Sequence, residues 1–211
     1  MEKKYTWIKV VALIVVLEIF VGAIFFAYKH LGGSTKGTVD QGLVKELYQK
    51  IAYVDFDFLD IMSNDAILYY AYHNAENESI SCDTLTIPTD TEEYQCVSPA
   101  SFVSEEDLKK AASDLYGPNV GITLKDFGVD TNHFAYYDAT NQGVVVFERK
   151  ELSDAAPVNL SLRDSEEEGD EIVLTVDVLD GTLGEVLSTY HFTFENDGVH
   201  YYLTGRELVA E

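Results

Sequence analysis

VSEEDLKKAASDLYGP, residues 103–118, is where the chain changes its hydrophobic period. Ser104 stands at an N-cap position, Asp107 follows three residues later and acidic residues fill the first turn. Lys109 and Lys110 come after them, and Gly117-Pro118 stops the run, so the spacing predicts a helix over 104–116. Leu108, Ala111, Ala112 and Leu115 share one face of it, which marks a core helix. Beyond Pro118 the apolar repeat shortens from about 3.6 to about 2 residues. Strands are expected at 120–127, 133–138, 143–150, 157–163, 171–179, 186–195 and 199–206, separated by turn clusters such as DATNQG, RDSEEEGD and DGTLG. Helices followed by strands imply an α+β domain, with two to three helices covering one face of a curved antiparallel β-meander.

Upstream of this switch, Leu43, Leu47, Ile51 and Val54 form one apolar stripe of a helix that starts near Val39. Segment 55–62, DFDFLDIM, fits a turn or a short helix. Ser63 or Asn64 can cap a further helix through AILYYAYHNA, a stretch also compatible with a strand; helix is the favoured reading. Residues 76–101 are rich in Glu, Ser, Thr, Asp and Pro and suggest a long surface loop that needs fastening. Cys82 and Cys96, the only cysteines, supply a fastener if they form a disulfide, worth about 3 kcal/mol for a loop of about 15 residues. A two-cysteine metal or redox site is the rival, and it lacks CxxC spacing.

The closing strands allow a finer expectation. A two-residue turn at Asp197-Gly198 pairs Asn196 with Val199, Phe194 with Tyr201 and Phe192 with Leu203. Tyr190, Phe192, Phe194, Tyr201 and Leu203 then share one face, and His191, Thr193, Glu195, His200, Tyr202 and Thr204 the other.

Near the N-terminus, Val10–Tyr28 is an apolar run long enough, as a helix of about 28 Å, to cross a bilayer. It ends in aromatics and a Lys instead of a small-x-small cleavage site, so an uncleaved transmembrane helix is expected, with cleavage near Gly32-Gly33-Ser34 as the alternative. Lys3, Lys4 and Lys9 precede the run, which predicts a single pass at the cell membrane with residues 1–9 cytoplasmic. Residues 29–38 then form a flexible tether and 39–211 an extracytoplasmic domain. Glu18, within the run, is either tolerated as a protonated carboxyl or a candidate contact to a membrane partner, on a helix that also carries Ala23 and Ala27.

Of the 14 basic and 37 acidic residues, nine basic and 35 acidic follow residue 36, a formal −26 for that part of the chain. Such a field repels phosphates and lacks the cations to neutralise them, which excludes nucleic acid as a partner. It suits solubility at a surface, or the recruitment of cations and basic partners.

Motifs for chemistry are sparse. His191 and His200 share a face in the hairpin register above, but at four rungs they stand about 13 Å apart, too far to hold one metal ion. His73 and His133 each lack a neighbouring Cys or an HExxH partner, and there is no GxSxG elbow. Asp164–Glu171 and the Asp126, Asp130, Asn132 stretch offer oxygen ligands without the spacing of a calcium loop. Asn77 and Asn159 open sequons. No cofactor or metal is expected. Tyr136, Tyr137, Tyr202 and His200 are the candidate ligand-surface residues, with core filling the alternative for the tyrosines.

The apolar N-terminus, Cys82 with Cys96, VSEEDLKKAASDLYG (103–117) and YHFTFENDGVHYYLTGREL (190–208) together resemble a loose group of uncharacterised single-pass, N-terminally anchored extracytoplasmic proteins of Firmicutes-type bacteria. That resemblance implies an exported, anchored domain and carries no catalytic residue over. The layout also resembles a cystatin-like or NTF2-like cone, an analogy of fold alone. The expected function is a non-enzymatic binding or interaction module of unknown specific ligand, held at the membrane, with a protein partner or a cell-envelope polymer as the candidate partners. A cell-envelope enzyme acting on a surface polymer, and a membrane-complex subunit acting through Glu18, are the alternatives.

Overall fold

The computed structural model describes residues 39–53, 60–153 and 158–209. Helix α1 spans Gln41–Ile51, capped by Asp40, whose Oδ1 accepts the Gly42 N–H at 2.7 Å; it buries Val44, Leu47 and Ile51. Val54 lies outside the described residues. Helix α2 runs Asn64–Asn74 behind Ser63, whose Oγ accepts the Ala66 N–H at 3.3 Å. Every residue from Ala66 to Tyr72 is buried, so its apolar run shows no clear period and reads equally as a strand. Helix α3, Glu105–Tyr116, begins at Ser104, whose Oγ takes the Asp107 N–H at 3.1 Å. It ends at Gly117, whose φ of 96° favours glycine. Leu108, Ala111, Ala112 and Leu115 are its buried face.

The strands do not form one meander. Short strands β1 (Glu78–Ile80) and β2 (Tyr94–Gln95), β3 (Ala100–Ser104), β4 (Phe127–Gly128), β5 (His133–Asp138) and β6 (Gly143–Arg149) form one sheet in the order β1-β3-β6-β5-β4, with β2 also on β6. Strands β7 (Val158–Glu168), β8 (Glu171–Asp180), β9 (Val186–Asn196) and β10 (Tyr201–Leu208) form a second antiparallel sheet in the order β10-β9-β8-β7. The expectation of a transmembrane helix followed by helices on a single curved meander is corrected accordingly, and the cone analogy falls with it. Among the described residues the fold is α+β with three helices and two antiparallel sheets, and no helix there is long and apolar enough to cross a membrane. The Val10–Tyr28 run, Glu18 and the tether through Thr38 lie outside the described residues.

Two local causes account for the division. Residues 120–126 alternate as a strand would but pair with none, because Asn64 takes both backbone groups of Thr123: its Nδ2 donates to the carbonyl at 2.9 Å and its Oδ1 accepts the N–H at 2.7 Å. Strand β3, which begins within the stretch expected to be loop and runs on to Ser104, sits between β1 and β6.

Strand β6 reads GVVVF and is buried on both faces. Val144 and Val146 join the main core, which draws on all three helices and both sheets, including Leu68, Leu108, Ile172, Phe194 and Leu203. Val145 and Phe147 face a smaller core with Ala100, Cys82, Leu85, Ile87 and Tyr94. The 76–99 segment is thus the cover of a second core rather than a plain surface loop. Its fastener is present: Cys82 and Cys96 are disulfide-bonded, with Cα atoms 6.0 Å apart.

The last hairpin keeps the expected faces with a different register. Tyr201 pairs with Asn196, Tyr202 with Glu195 and Leu203 with Phe194, and a bulge follows before Gly205 pairs with Thr193. The turn holds four residues, Asp197–His200, because the Asp197 carboxylate accepts the N–H groups of Val199 and His200, both at 2.9 Å. A shift of two residues leaves the inward set inward, so Phe192, Phe194 and Leu203 are buried.

Candidate functional site

Tyr202 stands where two adjoining clefts meet. The positive φ of Gly117 ends α3 and leaves room for the phenol ring, which lies 3.6 Å from where a Cβ on that glycine would stand. On one side of Tyr202 is a cleft of about 720 Å³, walled by Glu46 and Lys50 of α1, Ser113 and Asp114 of α3, and Val199 and His200 of the turn. A second cleft, of about 460 Å³, shares Tyr202 and Pro118 with the first and extends past Asn119, Glu195 and Asp197 to Met62. Its lining includes Tyr116, 8% exposed, whose buried hydroxyl has no hydrogen-bond partner among the described residues. Together they form one groove across the ends of α3 and the β9–β10 turn.

Carboxylates set its electrostatics. The N–H groups of His200 and Val199, with help from the Tyr202 hydroxyl, hold the Asp197 carboxyl below the usual carboxylate range. Desolvation, then the negative charges of Asp197 and Asp114, push the Tyr202 phenol up. Glu195 sits directly across the ladder from Tyr202. Lys50 is tied to Glu46 at 3.3 Å.

Of the four candidate surface residues, Tyr202 and His200 meet here, their ring centroids 6.3 Å apart. Tyr136 is core filling, packed against Phe147 at 4.6 Å and Phe134 at 5.0 Å between centroids. Tyr137 packs at the edge of the main core, and its hydroxyl donates to Glu105 at 3.3 Å. His200 stands in the turn rather than opposite Glu195, and His191 pairs with Glu207. The oxygens of 126–132 are engaged locally: Asp126 accepts the Tyr137 N–H and Asn132 the Ser153 N–H, both at 2.8 Å. Among the described residues, no three His, Cys, Asp or Glu side chains converge to hold a metal ion.

A separate cleft of about 470 Å³ unites residues that the sequence leaves apart. His73, Tyr72 and Asn77 come from the end of α2 and its exit, Pro99 and Ser101 from the disulfide-bonded segment and β3, and Asp130 and His133 from the β4–β5 turn. Burial holds the His73 imidazole below its ordinary value, against weaker opposing effects of the Val129 backbone and Asp130, and its Nε2 is buried with no hydrogen-bond partner among the described residues. His133 Nδ1 meets the Asp130 carboxylate at 2.8 Å. Ser101 donates its hydroxyl to Asn77 at 2.8 Å and lies 3.4 Å from the Tyr72 hydroxyl. That hydroxyl is therefore engaged away from either imidazole, and the set lacks the nucleophile-to-base contact of covalent catalysis. The sequence signal that could have joined them is faint: Asp130 and His133 at i and i+3 around a turn.

Among the described residues, the carboxyls that depart from ordinary behaviour, Glu105, Asp138 and Asp197, are all shifted downward, chiefly by hydrogen bonds. A general acid needs the opposite shift. Comparison with protein-family models, curated proteins and solved structures finds no match for this chain.

Proposed function

We propose that this protein is an extracytoplasmic binding module, held at the cell membrane, that recognises a protein partner through the Tyr202 groove. The observation that carries the reading is the groove itself. It joins clefts of about 720 and 460 Å³ at Tyr202, it is built from three elements that the core fixes in place, and it presents Tyr202, His200 and Val199 to solvent. Tyrosine at the centre of a partly desolvated groove is the usual anchor of a recognition surface. The extracytoplasmic setting is supported by the disulfide and by the charge order around Val10–Tyr28.

The test is a photo-crosslinking amino acid at Val199, with Leu152 as the comparison, in cells that express the full chain. Both side chains are more than 70% exposed, at 77% and 76%. A discrete adduct from position 199 alone supports the reading. Equal adducts at both positions, or none at 199, overturn it. The location is checked by surface protease on sealed cells, which should degrade residues 40–211; their survival until lysis contradicts it.

A further inference from the structure

We propose that the groove takes an extended lysine- or arginine-bearing segment of a protein partner, whose cationic head group sits beside the Tyr202 ring among Asp114, Asp197 and Glu195. This rests on the reading of the groove as a binding surface and adds the chemistry of what fills it.

Charge selects the sign. Four carboxylates line the two clefts, those of Glu46, Asp114, Glu195 and Asp197, against one lysine already paired with Glu46. Asp114 and Glu195 are exposed and their side chains make no ion pair among the described residues, so two negative charges stand unmatched on either side of one phenol. An anionic partner would meet these groups with nothing to offset them. A guanidinium or ammonium meets carboxylates and an electron-rich ring at once.

Shape selects an extended segment. The clefts adjoin through Tyr202 and Pro118, and exposed apolar side chains stand along them, Val199 at 77% in the first wall and Met62 at 46% in the second. Long basic side chains bury their methylenes on such groups while the head stays with the acids. The formal −26 beyond residue 36 steers a basic segment toward the domain, and the groove is where it is read.

The experiment must separate the groove from the general field. The probe is a dansylated, end-blocked decapeptide of alternating lysine and alanine, titrated into the full chain at about 0.15 M salt and followed by anisotropy. D114N/E195Q removes two charges in the groove; E185Q/E207Q removes two exposed charges elsewhere. Folding of each variant is verified by thermal melting. The groove pair is expected to weaken binding about tenfold and the distant pair less than about threefold. A norleucine-for-lysine peptide should not bind. Equal losses from the two pairs, equal binding of the norleucine peptide, or no binding of the lysine peptide overturns the proposal. If position 199 still crosslinks a partner while the peptide result fails, the ligand class falls and the binding module stands.

Discussion

Thr86 holds Asp138 with two hydrogen bonds: its backbone N–H reaches Oδ2 at 3.0 Å and its hydroxyl reaches Oδ1 at 2.8 Å. Asp138 ends β5 and is fully buried, whereas Thr86 belongs to the disulfide-bonded segment. Thr140 and Asn141 donate to the same carboxylate. The cover of the second core is therefore pinned by a buried charge as well as by a covalent bond. Burial alone would raise the Asp138 carboxyl, but the hydrogen bonds from Thr86 and Asn141 overcome it and leave it well below the usual range.

Asp138→Ala should cost about 2 kcal/mol, because it removes the one acceptor that Thr86, Thr140 and Asn141 share. Asp138→Asn keeps one acceptor oxygen and should cost roughly half of that. Urea unfolding gives the magnitudes, and faster exchange of the Thr86 amide locates the damage. The sign with pH follows from the lowered value: the contribution is complete above the unfolded carboxyl's range and is lost as pH falls toward the folded one. An Asp138→Ala protein that unfolds like the parent would contradict this role.

Cys82 and Cys96 lie 14 residues apart. Replacing both with serine should remove about 3 kcal/mol in the chain-entropy view. The loss should appear first as exposure of the second core around Phe147 and Tyr136, read by near-ultraviolet dichroism, with α3 and the second sheet intact in the far ultraviolet. Loss of all structure at once would show that the two cores are not separable.

Gly143 opens β6 and stands opposite Ser104 of the neighbouring strand β3. A Cβ there would run into the Phe102 ring and meet the Val103 carbonyl oxygen at 2.5 Å. Gly143→Ala should therefore destabilise by about 1–3 kcal/mol, although alanine ordinarily suits a strand better than glycine. An unchanged denaturation midpoint would refute the packing described for β3 on β6.

His73 stacks on Tyr53 at 4.4 Å between centroids and meets Tyr69 edge-on at 4.5 Å. Burial lowers its value in the folded chain, so the unfolded chain binds the proton first. Stability is then highest above the ordinary histidine range near 6.5 and falls as pH drops through it toward the folded value. His73→Phe should flatten the pH dependence of the melting temperature in that interval, and an unaltered slope would assign it to other groups.

What the sequence shows and hides follows from which forces act locally. Helix α3 is legible residue by residue because its cap, its charges and its stop all lie within 103–118, whereas for α2 the sequence leaves the cap open between Ser63 and Asn64 and the structure selects Ser63. The inward faces of β9 and β10 are legible from alternation. The register is not, since Asp197 remakes a two-residue turn into four residues through side-chain bonds. The split into two sheets is hidden because β2 and β3 pair with β6, about forty residues away or more, and β1 joins only through β3. Of the groove, Tyr202 and His200 are visible as candidates. Asp114 is not, because on sequence it belongs to the solvated face of a core helix.

The most direct check is backbone amide exchange on the full chain, in native membranes and after purification. If the Tyr202 groove is where a partner binds, amides of Gly117, Asn119, Val120 and residues 197–202 should exchange more slowly in the membranes, while those of the β8–β9 turn around Gly184 exchange alike in both. Equal exchange of the Gly117, Asn119, Val120 and 197–202 amides in the two preparations would contradict a partner-binding role for the groove.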